Sequence, residues 1–317
     1  APSSASHDGE PSVFDCAGDP PGMLQSINID GAGTAGKITT FKQLNVGTGD
    51  YVTVGTSTLV WKDLVSGGAF RKLNATATDP ATGKSFGHLD DGGDGAVLVQ
   101  FDMDGHARFV GRLAGGGTYA ATITENGDFV YMSSGLGVVA DVSSLQTFPL
   151  TTDESTLPQI GSIQHATANV TLYDLTTLTA DGQEWVISYS ANNVVVGYNA
   201  SDLAQGPVTL TNTVLPQEFS TSGDALGAAW TVDGNAYFSR NDGDGVFVLA
   251  GDDFDPATLT AEMKPTTILA TANTNSNDGF GCATAAAGQV PATTTTAPPS
   301  TTTTTVAPTT TTTAAPT

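Results

Sequence analysis

Thr231-Val232-Asp233-Gly234-Asn235-Ala236-Tyr237-Phe238 runs from one alternating apolar stretch, through an Asp-Gly pair, into another. Val246-Phe247-Val248-Leu249 follows a few residues later. Gly takes positive φ without a steric cost, and Asp or Asn before it favours a tight reversal. The stretch therefore predicts a β-hairpin with a third strand beside it.

The same grammar recurs on both sides. Thr179-Ala180-Asp181-Gly182-Gln183-Glu184-Trp185-Val186 leads to Val194-Val195-Val196-Gly197-Tyr198, and Thr124-Glu125-Asn126-Gly127-Asp128-Phe129-Val130-Tyr131 leads to Val138-Val139-Ala140-Asp141. Further upstream, Thr78-Asp79-Pro80-Ala81-Thr82-Gly83-Lys84-Ser85-Phe86 leads to Val97-Leu98-Val99-Gln100-Phe101. Gly49-Asp50-Tyr51-Val52-Thr53-Val54 opens the series and Asn277-Asp278-Gly279-Phe280 closes it. The turn glycines at 49, 83, 127, 182, 234 and 279 are spaced by 34, 44, 55, 52 and 45 residues. Several short strands per unit, repeated about every 45 residues, are the signature of propeller blades. With 37 glycines and no strong amphipathic helical stretch, long helices are disfavoured. The reading is an all-β fold, a β-propeller of about six blades, with five or seven as the alternatives.

A ring must be held shut where its two ends meet. The chain has two cysteines, Cys16 and Cys282, one at each end of the core-forming sequence. A Cys16–Cys282 disulfide would close the ring, and in the chain-entropy account a loop this long stabilises by about 5 kcal/mol. The alternative is a pair of buried free thiols. Around this domain, residues 13–288, lie a polar arm at 1–12 and a Thr/Pro-rich stretch at 289–317. From residue 290 the tract contains only Val, Pro, Ala, Thr and Ser300, so it has nothing with which to build a core. It reads as an extended or disordered mucin-like stalk. Its candidate O-glycosylation sites are Thr293, Thr294, Thr295, Thr296, Ser300, Thr301, Thr302, Thr303, Thr304, Thr305, Thr309, Thr310, Thr311, Thr312 and Thr313.

Phe14-Asp15-Cys16 near the start, Leu73-Asn74-Ala75 with Gly87, and Ala228-Ala229-Trp230 before Asp233-Gly234-Asn235-Ala236-Tyr237 carry a resemblance. So does the closing Asn277-Asp278-Gly279, two residues, then Cys282-Ala283. Over about residues 13–285 the chain resembles a family of secreted proteins whose propeller-like domain has no known function. Residues 30–65 depart from that pattern. The resemblance implies a secreted propeller-like domain and carries over no activity.

Acidic residues outnumber basic ones 32 to 10, a formal charge of -22. That balance argues against nucleic acid, which needs a basic patch, and against docking on an anionic membrane. No apolar run approaches a membrane span, so no membrane insertion is expected. The polar start reads as a mature N-terminus, and the cysteine usage suits an oxidising, extracellular compartment. Asn74, Asn169 and Asn199 each head an Asn-x-Ser/Thr triplet and are candidate N-glycosylation sites.

Candidate chemistry is sparse. Asn241-Asp242-Gly243-Asp244-Gly245 has part of the oxygen inventory that Ca²⁺ requires, which makes Asp242 and Asp244 candidate metal ligands. The plain alternative is that Asp and Gly make good turns. The histidines show no zinc spacing, although His88 and His106 could meet across a blade. No Gly-x-Ser-x-Gly elbow is present, and six glutamates stand in no recognisable motif. Trp185 and Trp230 read as core between blades, whereas Trp61, Tyr131 and Tyr237 are candidate sugar platforms.

Three functional classes follow. The first is a non-enzymatic extracellular structural or adhesion glycoprotein, a repeating subunit of a surface layer or filament that partners with copies of itself. The second is a carbohydrate- or ligand-binding module that meets surface glycans, with Ca²⁺ as its possible cofactor. The third is a secreted hydrolase or lyase, whose mark would be carboxylates or a histidine converging in the central channel.

Overall fold

The computed structural model describes residues 9–19, 21–30, 37–60, 72–90, 96–166, 172–190, 194–212, 226–274 and 277–282. Trp61, Asn169 and the whole Thr/Pro tract with its candidate O-glycosylation sites lie outside them. The first sheet holds β1 (Leu24–Asp30), β2 (Lys37–Leu44) and β3 (Tyr51–Val60). The second holds β4 (Lys72–Thr78), β5 (Ser85–Asp90), β6 (Ala96–Phe101) and β7 (Ala107–Leu113). The third begins with β8 (Ala120–Ile123), β9 (Phe129–Met132) and β10 (Leu136–Val139). The chain then forms β11 (Gln159–Ile160), which runs parallel to β7 on the second sheet, before β12 (Ser162–His165) completes the third.

The fourth unit is β13 (Leu172–Ala180), β14 (Gln183–Ser190), β15 (Val194–Asn199) and β16 (Val208–Asn212). The fifth is β17 (Leu226–Val232), β18 (Asn235–Arg240), β19 (Val246–Asp255) and β20 (Thr260–Pro265). Their outer strands β16 and β20 pair in parallel, which joins the two units into one sheet. The last strand, β21 (Asn277–Phe280), returns to pair antiparallel with β1, placing Leu24 opposite Phe280 and Ser26 opposite Asp278.

The innermost strands β21, β4, β8, β13 and β17 each lie beside the next, and β17 lies beside β21 again. The ring is therefore closed, and among the described residues it has five blades. That is the lower of the alternatives to six. Gly83, Gly127, Gly182 and Gly234 all have positive φ and stand between the first and second strands of successive blades. Asp181 and Asp233, the residues before two of them, also have positive φ, as a two-residue primed turn requires. Gly49 instead lies between β2 and β3, and Gly279 lies within β21, so both belong to the first blade. Six glycines therefore mark five blades.

Gly279 is not a turn residue. A Cβ there would lie 2.1 Å from the Ala229 carbonyl oxygen, so glycine lets β21 pass close beside β17.

Five apolar clusters fill the five gaps between blades. Phe41, Phe101 and Phe280 meet between the first and second, with ring centroids 5.3 to 5.6 Å apart. Trp185 packs on Phe254 between the fourth and fifth, 5.2 Å between centroids. Between the fifth and first, the Trp230 indole N–H donates to the Leu24 carbonyl at 2.7 Å. Across the same seam, the Gln25 amide donates to the Tyr51 hydroxyl, which bonds Ser239 at 2.8 Å. The remaining two clusters follow the same scheme, with Phe129 in one and Val186 in the other.

The Cys16–Cys282 disulfide is formed, with a Cα–Cα distance of 5.6 Å. It joins the segment before β1 to the residue two beyond β21. The Gly22 N–H donates to the Cys282 carbonyl at 3.0 Å, and the Phe14 N–H to the Gly83 carbonyl at 2.9 Å, so the N-terminal segment is fastened to two blades.

Candidate functional site

Inner strands of a propeller present a bare backbone edge to the channel, so their N–H groups need partners there. Asp174 on β13 supplies several. Its Oδ1 accepts from the Leu175 N–H at 2.9 Å, and its Oδ2 accepts from Ala229 of β17 at 2.9 Å and Gly279 of β21 at 3.3 Å. One carboxyl thus ties three of the five inner strands. Asp278 on β21 accepts in the same manner from the Ala75 N–H of β4. Both carboxyls are buried. Burial raises the pKa of each, and the neighbouring Asp278 raises that of Asp174 further. Sequence reasoning missed this pair, because nothing near Asp174 in the chain signals strands 55 and 105 residues away.

At the hairpin-turn end the channel widens into a cavity of about 320 Å³ whose wall draws on all five inner strands. Its interior carries hydroxyls from Thr76, Thr122, Thr176 and Thr231, with apolar surface from Leu175 and Phe280. Thr231 Oγ1 is the hub, 2.9 Å from the Thr176 hydroxyl and 2.8 Å from that of Thr177. The disulfide forms part of the wall.

Three carboxylates, Glu125, Glu184 and Asp233, come from three successive blades to the same cavity. Glu125 and Asp233 are exposed, and Glu184 is half-buried. Glu184 Oε1 accepts the Glu125 N–H at 2.9 Å. Burial pushes the Glu184 pKa up to about 7, with the Glu125 and Asp128 charges adding to the rise and bonds from the Glu125 N–H and the Thr177 hydroxyl opposing it. Among the described residues, no Lys, Arg or His lines the cavity. The arrangement is rich in hydrogen-bond acceptors and suits a ligand that brings donors. Each of the three carboxylates was visible in the sequence only as part of a turn.

The other candidates sort as follows. Asn74 is buried in β4, where a glycan would displace the packing between strands, so on the folded chain this candidate is withdrawn. Asn199 stands half-buried at the end of β15 and its amide oxygen accepts from the Ser201 N–H at 3.0 Å. Asp242 and Asp244 are both held by the Arg240 guanidinium, the latter at 3.2 Å. Arg240 thus supplies positive charge to that turn from within the chain. Among the described residues no group of three or more His, Cys, Asp or Glu side chains is placed to hold a metal ion.

Tyr131 and Tyr237 are buried, and the Tyr131 hydroxyl donates to the Ala114 carbonyl at 2.8 Å, so neither is a sugar platform. Trp185 and Trp230 are core, as read. His88 Nδ1 lies 2.8 Å from the Thr118 carbonyl and His106 Nδ1 lies 3.0 Å from Asp102, so the two engage different partners. Among the described residues no helix is long and apolar enough to cross a membrane.

No family model matches the chain. No curated protein matches it either. Solved structures do. A Bacteroides uniformis protein named as a 6-phosphogluconolactonase is 13% identical, with a TM-score of 0.38 over 77% of this chain and 68% of that one. A gluconolactonase from Xanthomonas campestris is 13% identical, with a TM-score of 0.33 over 84% of this chain and 89% of that one. The β-propeller domain of the Trilobed protease from Pyrococcus furiosus is 9% identical, with a TM-score of 0.32 over 78% and 82%. The propeller assignment rests on the closed ring itself, and likeness at this level extends no activity to the chain.

Proposed function

We propose that the protein is an extracellular structural or adhesive glycoprotein, a rigid propeller head carried on a glycosylated Thr/Pro-rich stalk. The observation that carries this reading is the place of the disulfide. Cys282 lies two residues beyond β21 and, along the chain, before the tract that begins at residue 289. Tension applied along the tract therefore meets the disulfide before it meets the ring. Without the bond, that tension would fall on a four-residue strand and open its pairs with β1 one at a time. With it, the pull passes to Cys16 and the segment leading into β1, a strand paired on both sides. A head built to be pulled by its stalk suits attachment or assembly at a surface.

The composition agrees. A disulfide persists in an oxidising compartment, a Thr/Pro tract extends and carries sugar, and a charge of -22 keeps bodies apart until cations screen it. The test is native mass analysis of protein from its source, before and after deglycosylation, with negative-stain imaging of the same sample. Heavy, heterogeneous glycan and heads on stalks or in ordered polymers are expected. A discrete, sugar-free monomer would overturn the reading.

A further inference from the structure

The mechanical account leaves the cavity at the hairpin-turn end of the channel without a task. Its volume of about 320 Å³ is that of a small-ligand pocket. One of its walls, β8, presents an open backbone edge. In an antiparallel pair, alternate residues turn their N–H and C=O groups toward the partner strand and the others turn theirs away. The Thr124 N–H donates to the Asp128 carbonyl, which fixes that alternation on β8. Ile123 stands opposite Phe129 and Ala121 opposite Tyr131, so their N–H and C=O groups face the channel, whereas those of Thr122 face β9.

On the adjacent inner strand, β13, the corresponding N–H groups are engaged. Leu175 donates to Asp174, Thr177 to Thr231 Oγ1 and Thr179 to the Gly234 carbonyl. The N–H groups of Ala121 and Ile123 have no partner among the described residues. The Thr122 hydroxyl has none either, and Thr122 lines the cavity while only 7% exposed. Buried polar groups are as a rule paired, so three unpaired donors on one wall are arranged to bond what enters.

The surrounding groups define that ligand. A hydroxyl both donates and accepts, and so does a strand edge that alternates N–H with C=O, so the wall matches groups that do the same. Ile123, Leu175 and Phe280 add apolar surface for C–H groups. Glu125 and Glu184 in the same wall accept hydroxyl protons and disfavour an anion. A compact neutral ring with hydroxyls at its rim and C–H groups on its faces has this pattern. We propose that the cavity binds a neutral monosaccharide unit, with its hydroxyls on the open edge of β8 and on Thr122.

NMR spectra of the full chain with glucose, galactose, mannose and N-acetylglucosamine at millimolar concentration test the proposal. Glucuronate and cyclohexanol serve as the anionic and the mainly apolar control. At least one sugar is expected to shift the Ala121 and Ile123 amide signals and to slow their hydrogen exchange, and the controls to do neither. Methyl glycosides of the same sugars separate the two sources of such a unit. Retained binding marks the end of a glycan chain, and loss of binding marks a free sugar.

Thr122→Val removes a hydroxyl that no internal bond uses. It is expected to keep its melting temperature and to lose about fivefold in affinity. Thr122→Ser keeps the hydroxyl and is expected to retain binding. Should the valine variant melt early, the amide shifts of the unaltered chain decide. No binding of any of the sugars, equal binding of the controls, unmoved β8 amides, or full affinity in a folded Thr122→Val would overturn the proposal.

Discussion

Gly279 and Gly182 are the same residue held for different reasons. At Gly182 a Cβ would meet nothing within 4 Å, but φ is +72°. At Gly279 the backbone is extended, but a Cβ would meet the Ala229 backbone. Gly182→Ala is therefore expected to cost about 1–2 kcal/mol from left-handed strain alone. Gly279→Ala is expected to cost about 3 kcal/mol or more, because two inner strands must separate. Denaturant unfolding of both variants checks the order, and equal costs would contradict it.

Asp174 and Asp278 make a second residue-scale prediction. Their pKa values are raised in the fold, with that of Asp278 pushed up to about 8, whereas an unfolded aspartate titrates near 3.9. Between those values the native chain holds protons that the unfolded chain has released, so stability declines as pH rises from about 4 to about 8. Self-repulsion of an acidic protein acts in the same direction, so a variant is needed to isolate the pair. Asp278→Asn keeps an acceptor for the Ala75 N–H and is expected to flatten the fall in melting temperature between pH 5 and 8. An unchanged slope would contradict the assignment. At this scale the sequence showed the turns, because an Asp-Gly pair is local. It hid Asp174, whose meaning depends on strands far along the chain.

Among the elements, β21 leans heavily on its neighbours. It has four residues and depends on β1 beside it and on β4 and β17 flanking it in the ring. Phe280 supplies much of its hold, buried against Phe41 and Phe101. Phe280→Ala is expected to cost about 3–5 kcal/mol, the usual range for a buried phenylalanine. Hydrogen exchange of that variant is expected to rise first in β21 and β1, and uniform acceleration would mean that β21 does not open by itself. The blade count was blurred at this scale. A closing strand that completes the first blade looks, in one dimension, like the opening of another. The hairpin turns of the other four blades were legible, since each is marked by its own positive-φ glycine.

At the scale of the molecule, ring and staple were both readable. The chain has two cysteines, and a propeller has one seam. The cavity was not, because its wall is assembled from five strands that lie far apart along the sequence. The central claim is that the disulfide shields the ring from a pull along the chain. It predicts that reduction, and only reduction, exposes the propeller to force.

Force–extension of single molecules held at both ends tests this most directly. The 266-residue separation between the cysteines corresponds to about 90 nm of extended chain. With the bond intact, the account predicts extension of the segments outside Cys16 and Cys282 and no release of that length. After reduction, or in Cys282→Ser, it predicts full release with β21 opening first. Release of about 90 nm from the oxidised protein would contradict it.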